Sequence, residues 1–259
     1  MSVRKAIFIT GGGSGIGRAT ALFFASKGWF VGVADMNETG IAETRARLPQ
    51  GQSSGHVMDV RRREDWAKAL GDFTALTGGR LDVMFNNAGV ARGGWFASVP
   101  PEHNDLTIDV NFTGVVYGVE AAFPYLKATD GPCLVNTASA AGIYGVPKSA
   151  VYSATKFAVR GLSEGLDCEW RRDGIKVRCI MPSFINTPLL EAHVSGTNRN
   201  VREDVTRSGL EITPVEEVAQ TVWDAVHGDK VNWTVGKTAK RLMFMARWFP
   251  GKLRNQMST

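Results

Sequence analysis

A glycine-rich turn near the N-terminus constrains the fold of this chain more than any other stretch. The apolar residues 6–9 lead into residues 10–17, which read TGGGSGIG, and a helix-like segment follows at residues 18–24. This order predicts a buried strand, a sharp turn and a helix. Glycines at such a turn let the backbone approach a pyrophosphate, whose charge is stabilised by free amide N–H groups at the start of the helix. A flexible linker is the other interpretation of a glycine run, but apolar segments flank this one closely on both sides.

A second segment, residues 139–156, places a hydroxyl, a phenol and an ammonium where they can share a proton. Tyr152 and Lys156 form the pattern Tyr-x-x-x-Lys, which brings the two side chains to one face of a helix. A free tyrosine has a pKa of about 10, and a fixed neighbouring cation is expected to lower it by favouring the phenolate. Ser139 follows an apolar run at the expected end of a strand, where its hydroxyl can hold a substrate oxygen. The Tyr-x-x-x-Lys pair alone is a weak signal, because many helices pair these residues for packing and solubility.

Further motifs, which follow each other in the order typical of the short-chain dehydrogenase/reductase family, make the chain resemble that family over nearly its whole length. The glycine turn has the spacing Gly-x-x-x-Gly-x-Gly, residues 86–89 read NNAG, and Asn111, Ser139, Tyr152 and Lys156 follow. A chance match of one motif is easy, whereas several matches in the right order and spacing are not. The resemblance implies a nicotinamide dinucleotide cofactor and a catalytic set made of Asn111, Ser139, Tyr152 and Lys156. In the family's pattern, Asn111 lies at a helix kink and holds a water for the lysine.

The alternation of strand-like and helix-like segments predicts an α/β fold. We expect one domain, residues 1–259, built on a doubly wound, Rossmann-like sheet of seven parallel strands in the order 3-2-1-4-5-6-7, with helices on both faces. The third strand is expected at residues 56–60, and long helices are expected at 103–127 and 150–172. Residues 183–213 are expected to form a substrate lid, because most of that stretch is polar and poorly periodic.

Asp35, at the end of the second expected strand, predicts NAD rather than NADP as the cofactor. A carboxylate at this place can hydrogen-bond the adenosine ribose hydroxyls and would repel a 2′-phosphate. Met36 and Asn37 follow without an arginine to receive a phosphate, and Ser14 stands where many NADP-using relatives in the family carry a basic residue. The alternative is that Asp35 only caps the helix that begins near Asn37.

The resemblance extends the expected cofactor site to the ends of several other strands. Asp59 resembles the aspartate that meets the adenine amino group, with Val60 beside the ring, and Thr187 matches a hydroxyl that meets the cofactor carboxamide or phosphate. The full expected set is Gly11, Ser14, Gly15, Ile16, Gly17, Asp35, Asp59, Val60, Asn87, Ala88, Gly89, Tyr152, Lys156, Pro182, Ile185 and Thr187. The family's usual Pro-Gly reads Pro182-Ser183 here, so this turn must accept a side chain where glycine is typical.

Charge and cysteine usage argue against several classes of function. The chain of 259 residues has a net charge of +5, but residues 237–259 hold six of its thirty Lys and Arg and no acidic residue. The remainder is close to neutral, which argues against a nucleic-acid-binding surface. Three cysteines without a Cys-x-x-Cys pattern predict reduced thiols, used for packing, in a cytoplasmic protein. The four histidines lack metal-ligand spacing, so no metal site is expected, and neither is a signal peptide or a membrane span.

These features predict an NAD(H)-dependent alcohol dehydrogenase or ketone reductase, which moves a hydride between nicotinamide and the carbon of a secondary alcohol or ketone. The alternative is a catalytically silent sensor or scaffold that keeps the dinucleotide-binding fold, although such a protein needs no proton relay. Apolar candidates for the pocket wall favour a bulky lipophilic substrate over a sugar or an acid, unless several of them belong to the core. These candidates are Trp95, Phe96, Ile143, Tyr144, Phe184, Leu189 and Leu190.

The two long helices are the expected sites of assembly. Family members that this chain resembles are commonly homotetramers, so a homotetramer, or a homodimer, is expected through these helices. A stripe of small residues in the second helix suits close packing against a neighbouring subunit or against the sheet. Its members are Ala154, Ala158, Gly161, Gly165 and Cys168.

The basic tail, residues 237–259, has two interpretations. Four apolar side chains recur at helical spacing, namely Leu242, Met245, Trp248 and Phe249. Pro250 is then expected to stop the helix. An apolar face of this kind can close over the substrate pocket or a neighbouring subunit, or it can lie with its cations on an anionic membrane surface. We favour the pocket or the subunit, because stable membrane attachment usually takes a second signal and none is visible.

Overall fold

The central sheet has seven parallel strands, and most of its residues are buried on both faces. The structure is a computed structural model, and it describes residues 4–192, 194–195 and 199–258. The strands are Ala6–Thr10 (β1), Phe30–Asp35 (β2), Ser53–Val57 (β3), Val83–Asn86 (β4), Cys133–Thr137 (β5), Lys176–Pro182 (β6) and Asn232–Val235 (β7). They lie in the order 3-2-1-4-5-6-7, which confirms the α/β fold and the strand order that the sequence predicts.

Helices cover both faces of this sheet. They are Gly15–Ser26 (α1), Glu38–Arg45 (α2), Arg63–Leu76 (α3), Pro101–Ile108 (α4), Gly114–Lys127 (α5), Ala150–Trp170 (α6), Val201–Arg207 (α7), Val215–His227 (α8), Lys237–Trp248 (α9) and Pro250–Met257 (α10). One apolar core joins the sheet to α1, α2 and α8, and the other joins it to α3, α5 and α6. In β1, Ile7 and Ile9 belong to the first core and Ala6 and Phe8 to the second. A strand buried on both sides reads as a continuous apolar run, which is why β1 is evident in the sequence.

The long helix expected at residues 103–127 is interrupted. It begins at Pro101, and a π-helical turn, Asp109–Thr113, separates α4 from α5. Asn111 lies within that turn, so the helix is irregular at the place where the family resemblance implies a kink. A π-helical turn inside an α-helix is frequent at functional sites.

The third strand differs from its expected range, residues 56–60, and spans Ser53–Val57 instead. As the edge strand, it pairs with β2, and the chain leaves the sheet after Val57. Met58 and Val60 are nevertheless buried, because they pack under the helix layer, where Val60 contacts Gly114 of α5. Apolar residues in a packed loop therefore account for the difference, since burial alone does not distinguish a loop from a strand.

The basic tail forms two helices rather than one. The first, α9, ends at Trp248, as the proline predicts, but Pro250 then begins α10. Proline suits the first position of a helix, because the backbone N–H that it lacks has no partner there in any helix. The tail contacts β7 and the 3-10 turn Ala140–Gly142, which follows β5. Within the described part of the chain, no helix is both long and apolar enough to span a membrane.

The stripe of small residues on α6 faces solvent. Gly161 and Gly165 are exposed, and a Cβ added to either would meet no atom within 4 Å. The interpretation in which this stripe packs on the sheet is therefore wrong. Cys168 is also exposed, so the expectation that all three cysteines are packing residues holds only for Cys133 and Cys179, which are buried.

Candidate active site

A cavity of about 460 Å³ lies at the carboxyl ends of the central strands. Because these ends meet at one edge of a parallel sheet, residues that are far apart in the chain converge there. The predicted site residues that line the cavity are Ile16, Asn87, Gly89, Ser139, Tyr152, Lys156, Pro182, Ile185 and Thr187. The remaining predicted residues, Gly11, Ser14, Gly15, Gly17, Asp35, Asp59, Val60, Ala88 and Asn111, lie outside its lining.

Ser139, Tyr152 and Lys156 meet where the turn after β5 packs on α6. Ser139 caps the 3-10 turn Ala140–Gly142, because its Oγ accepts a hydrogen bond from a backbone N–H of the turn at 3.1 Å. Gly142 allows the close approach, since an ideal Cβ on it would lie 2.6 Å from the backbone oxygen of Lys156. This contact holds the Ser139 hydroxyl within hydrogen-bonding reach of the Tyr152 phenol.

The Lys156 ammonium is buried and is oriented by the backbone. Its Nζ donates to the carbonyl oxygen of Thr137 at 2.9 Å and lies 5.7 Å from the centroid of the Tyr152 ring. Burial lowers the pKa of Lys156 to about 8, because a poorly solvated site disfavours the charged form. The ammonium therefore remains mostly charged at neutral pH and can release a proton slightly above it.

The pKa of the Tyr152 phenol is raised by burial, and the hydrogen bond with Ser139 opposes that rise. The expected net lowering of the Tyr152 pKa is therefore wrong for this structure. The physical reason is that the ammonium is directed at the Thr137 carbonyl, so desolvation of the phenol outweighs its attraction to the cation. The raised pKa favours the neutral phenol, the form that can donate a proton.

Asn111 clamps the segment that follows β4. Its side chain is fully buried, with Oδ1 accepting from the Val90 N–H at 2.8 Å and Nδ2 donating to the Val90 carbonyl at 2.9 Å. An ideal Cβ on Gly89 would lie 3.3 Å from Asn111 Oδ1 and 3.7 Å from Lys156 Nζ. Both polar groups of the amide are thus used on one backbone segment, which they hold beside Lys156.

Thr10 joins the glycine turn to the same segment, and sequence reasoning missed it. Its hydroxyl accepts from the backbone N–H groups of Asn87 and Ala88 at 3.0 and 3.1 Å. Within the turn, an ideal Cβ on Gly17 would lie 2.1 Å from the Gly11 carbonyl oxygen, so a side chain there would destroy the packing. The glycine turn and the first turn of α1 are therefore packed closely against each other.

The Asp35 carboxylate lies against the glycine turn. It accepts hydrogen bonds from the backbone N–H groups of Gly13 and Asn37, each at 3.0 Å. The cap of α2 is Asn37, whose Oδ1 accepts from the Gly40 N–H at 3.1 Å. The interpretation in which Asp35 only caps this helix is therefore wrong.

Arg18, in the first turns of α1, was not predicted as part of this region. Its guanidinium donates to the Gly13 carbonyl, pairs with Glu43 at 2.8 Å and donates to the Thr44 hydroxyl at 2.9 Å. The cation thus fastens the glycine turn to α2. In the sequence, nothing distinguishes this residue from an ordinary arginine on a helix surface.

Asp59 and Val60 are placed differently from expectation, because β3 ends before them. The Asp59 carboxylate is hydrogen-bonded by the Arg61 guanidinium and by the Arg61 backbone N–H at 3.0 Å, which holds the pKa of the carboxyl below its usual range. Val60 is buried against Gly114. Asp59 thus forms a local ion pair with Arg61, and Val60 packs against α5.

Only part of the expected pocket wall surrounds the cavity. Phe184, Leu189 and Leu190 line it, as do two further residues of the expected lid, Val201 and Leu210. The lid stretch is more regular than predicted, since it contains α7 and the 3-10 turn Pro188–Glu191. Residues 193 and 196–198 of that stretch lie outside the described residues.

The other expected wall residues are elsewhere. Trp95 and Phe96 are 62% and 68% exposed. Ile143 is buried in the core, and Tyr144 packs against that core. The prediction that Trp95 and Phe96 form part of the pocket wall is therefore wrong, because the exposure of a side chain cannot be predicted from residue type alone.

The tail supplies the missing wall. Leu242, Met245, Leu253 and Met257 line the cavity from α9 and α10. Trp248 and Phe249, expected on the same apolar face, are 61% and 41% exposed instead. The expected apolar face is thus split between the cavity and the outer surface.

Comparison with known proteins agrees with this geometry. The family model described as short chain dehydrogenase matches residues 5–198. SadH of Mycobacterium tuberculosis, named as an oxidoreductase, is 33% identical over 250 residues, which cover 94% of this chain and 90% of SadH. Levodione reductase of Leifsonia aquatica is 34% identical over 194 residues, or 72% of each chain. A solved short-chain dehydrogenase/reductase from Burkholderia phymatum, in complex with NAD, matches with a TM-score of 0.84 at 26% identity, covering 98% of this chain and 95% of that one.

A glycine turn after the first strand of a parallel sheet, with a phenol and an ammonium at the same edge, is the arrangement of an oxidoreductase that uses a nicotinamide dinucleotide. The family match and the identity to these relatives narrow that class further: the chain belongs to the short-chain dehydrogenase family. The resemblance noted in the sequence is thereby confirmed.

Proposed function

We propose that this protein is an NAD-dependent oxidoreductase that interconverts a secondary alcohol and a ketone, acting on a bulky lipophilic substrate. The observation that carries this proposal is the convergence of Ser139, Tyr152 and Lys156 on one cavity whose remaining walls are mostly apolar. The residues present fit a dinucleotide, because the glycine turn leaves no room for a side chain where a pyrophosphate would approach. When bound, the nicotinamide ring accepts or supplies the hydride.

The protein's own part is the movement of a proton. The Tyr152 phenol gives a proton to the substrate oxygen during reduction and takes it back during oxidation, while the Ser139 hydroxyl holds that oxygen. Lys156 would hold the nicotinamide ribose and, as a cation, would favour the phenolate once the proton has left. Asn111 orders the segment beside Lys156 through its clamp on Val90, and the family pattern assigns a proton-relay water to the same residue.

Tyr152→Phe tests this assignment. The substitution keeps the ring and removes the proton, so we expect kcat to fall by about 10²–10⁴-fold, the usual contribution of general acid–base catalysis. NADH oxidation is measured with a panel of ketones from small aliphatic to aryl-sized, and NADH binding is measured by fluorescence as the control. Unchanged turnover would refute the role of Tyr152. NADH binding by the unmodified protein without turnover of any ketone or alcohol would favour a sensor or scaffold instead.

The preference for NAD over NADP rests on Asp35. The carboxylate lies against the glycine turn, where a 2′-phosphate would meet a like charge, and Arg18 is already paired with Glu43. We expect Asp35→Ala to relax the kcat/KM ratio of NADH to NADPH by at least about tenfold, since a repulsion of only ~1.4 kcal/mol gives that factor. Glu38→Ala, which removes an exposed acid nearby on α2, is the matched control. A wild-type preference for NADPH would contradict the proposal.

Assembly and location complete the proposal. The exposed small-residue stripe on α6 supports a homotetramer, or a homodimer, because side chains of this size let a second helix approach closely. Residues 183–213 act as the substrate lid, and the tail completes the pocket. Three free thiols suit the reducing conditions of the cytoplasm.

A further inference from the structure

The two helices of the tail have a second face that the cavity does not use. On the inner side, Leu242 and Leu253 are 8% and 3% exposed. On the outer side, Phe244, Trp248 and Phe249 are 56%, 61% and 41% exposed. These three aromatic residues are called the aromatic patch below. The inner face of the two helices thus packs against the rest of the chain, whereas the outer face exposes three large apolar side chains to solvent.

The aromatic patch is continuous across the junction of the two helices. Phe244 and Trp248 are four residues apart on α9, so they are neighbours on one side of the helix. At about 100° per residue, that side is opposite Leu242. Phe249 joins them from the junction, with its ring centroid 5.9 Å from that of Phe244. Exposed apolar side chains grouped in this way mark an interaction surface.

Cations border the aromatic patch on both sides. On the helical projection of α9, Lys240 and Arg247 lie on one side of the two aromatic residues, and Arg241, which also lines the cavity, lies on the other. Lys252 and Arg254 extend the positive charge along α10. All of these side chains are exposed, and within the described residues none forms an ion pair with a carboxylate. A partner for this face must therefore offer negative charge around an apolar interior.

We propose that the outer face of α9 and α10 docks on an anionic lipid bilayer. Aromatic side chains enter the boundary between headgroups and acyl chains, and flanking Lys and Arg bind anionic headgroups, which is the chemistry of this face. A second copy of the chain is a poorer partner, because a twofold contact would place the same cations opposite each other. The second helix and Phe249 also enlarge the surface beyond the single short helix that the sequence predicts.

Docking would also bring the cavity close to the lipid. Met245 and Met257 line the cavity from the same two helices whose outer faces carry the aromatic patch. A lipophilic ketone or alcohol dissolved in the bilayer could then reach the site without crossing bulk water. This last step rests on the proposed function, whereas the docking itself does not.

Sedimentation with vesicles tests the docking on the full chain without any activity assay. We expect binding to large vesicles of phosphatidylcholine and phosphatidylglycerol (3:1) at low salt, and at least tenfold weaker binding to pure phosphatidylcholine or at high salt. The double variant Phe244→Ser/Trp248→Ser should lose at least tenfold in vesicle affinity while retaining NADH binding. Leu76→Ser, which removes a side chain 63% exposed on α3, is the matched control and should bind vesicles like the wild type.

A second variant addresses the charges separately. Lys240→Glu/Arg254→Glu should abolish binding to the anionic vesicles and keeps Arg247, which lies 5.4 Å from the centroid of the Trp248 ring. The proposal is overturned if the wild type does not sediment with anionic vesicles, or if neither double variant binds less. A change in oligomer size in the aromatic variant, with no loss of vesicle binding, would assign this face to a second subunit and also overturn it.

Discussion

Replacing Lys156 by methionine should stabilise the folded protein at neutral pH, although it removes a residue of the proposed catalytic set. Lys156 is only 4% exposed, and burial lowers its pKa from 10.5 to about 8. Below that pKa, the folded protein holds a charged ammonium in a poorly solvated site. Methionine has a similar length and carries no charge, so it removes this cost and keeps the packing.

The size of the effect follows from the pKa shift. The two pKa values differ by about 2.5 units, and each unit corresponds to about 1.4 kcal/mol. The buried charge therefore costs about 3 kcal/mol of folding free energy at pH 7. Loss of the hydrogen bond from the charged Nζ to the Thr137 carbonyl offsets about 2 kcal/mol of the gain. We expect a net stabilisation of about 1 kcal/mol, because the bond and the charge are lost together.

The stability gain of the Lys156→Met variant over the wild type should decrease as the pH rises. The unfolded chain binds a proton at this lysine up to its ordinary pKa of 10.5, whereas the folded chain releases it at about 8. Between these values the unfolded state binds more protons, so raising the pH stabilises the wild type relative to the variant. The advantage of the variant is therefore full below pH 8 and falls as the pH rises towards 10.5.

Urea denaturation, followed by circular dichroism at pH 7 and pH 9.5, measures both quantities. Lys230→Met is the control, because Lys230 is exposed and its replacement should change little at either pH. The reasoning is refuted if the Lys156 variant is less stable than the wild type at pH 7. It is also refuted if the difference between the two proteins is the same at both values of pH.

Two further predictions concern the glycines. Gly17→Ala should weaken NADH binding by more than tenfold in a titration, because the added Cβ would lie 2.1 Å from the Gly11 carbonyl oxygen and displace the turn. Gly165→Arg should reduce the oligomer size measured by analytical ultracentrifugation. In a single chain, the space around this exposed glycine of α6 is open, whereas a second helix packed against α6 would leave no room for the arginine side chain. Gly71→Arg, on α3, is its control, and an unchanged sedimentation coefficient for the α6 variant would contradict assembly through this stripe.

The parts of the fold that could be predicted are those set by local pattern. The strand, turn and helix at residues 6–24 follow from an apolar run, glycines and a second apolar run, all within one short segment. The helix that carries Tyr152 and Lys156 follows equally from spacing. The third strand was predicted too late in the chain because Met58 and Val60 are buried outside the sheet. The contact of Val60 with Gly114 of α5 joins residues far apart in the chain.

The electrostatics of the site could not be predicted in the same way. The spacing of Tyr152 and Lys156 correctly brought the two groups together, but the direction of the phenol's pKa shift was wrong. That shift depends on how deeply the phenol is buried and on where the ammonium points. Neither quantity is encoded in a four-residue spacing, because the ammonium is directed at the Thr137 carbonyl and the phenol is hydrogen-bonded to Ser139, which both lie outside that spacing.

Ser183 shows how a departure from the family pattern is accommodated at a distance. A serine replaces the usual glycine, and the room for its side chain comes from Gly236, where an ideal Cβ would lie 2.3 Å from Ser183 Oγ. Gly236 adopts a φ of 86°, which favours glycine for a second reason. The residues beside Gly236 also join the end of the lid to the start of the tail, since the Glu211 carboxylate accepts a hydrogen bond from the Thr238 N–H at 3.0 Å. The unusual turn and the tail wall of the cavity are therefore connected parts of one structure, so a change at residue 183 should alter substrate fit through α9 as well as directly.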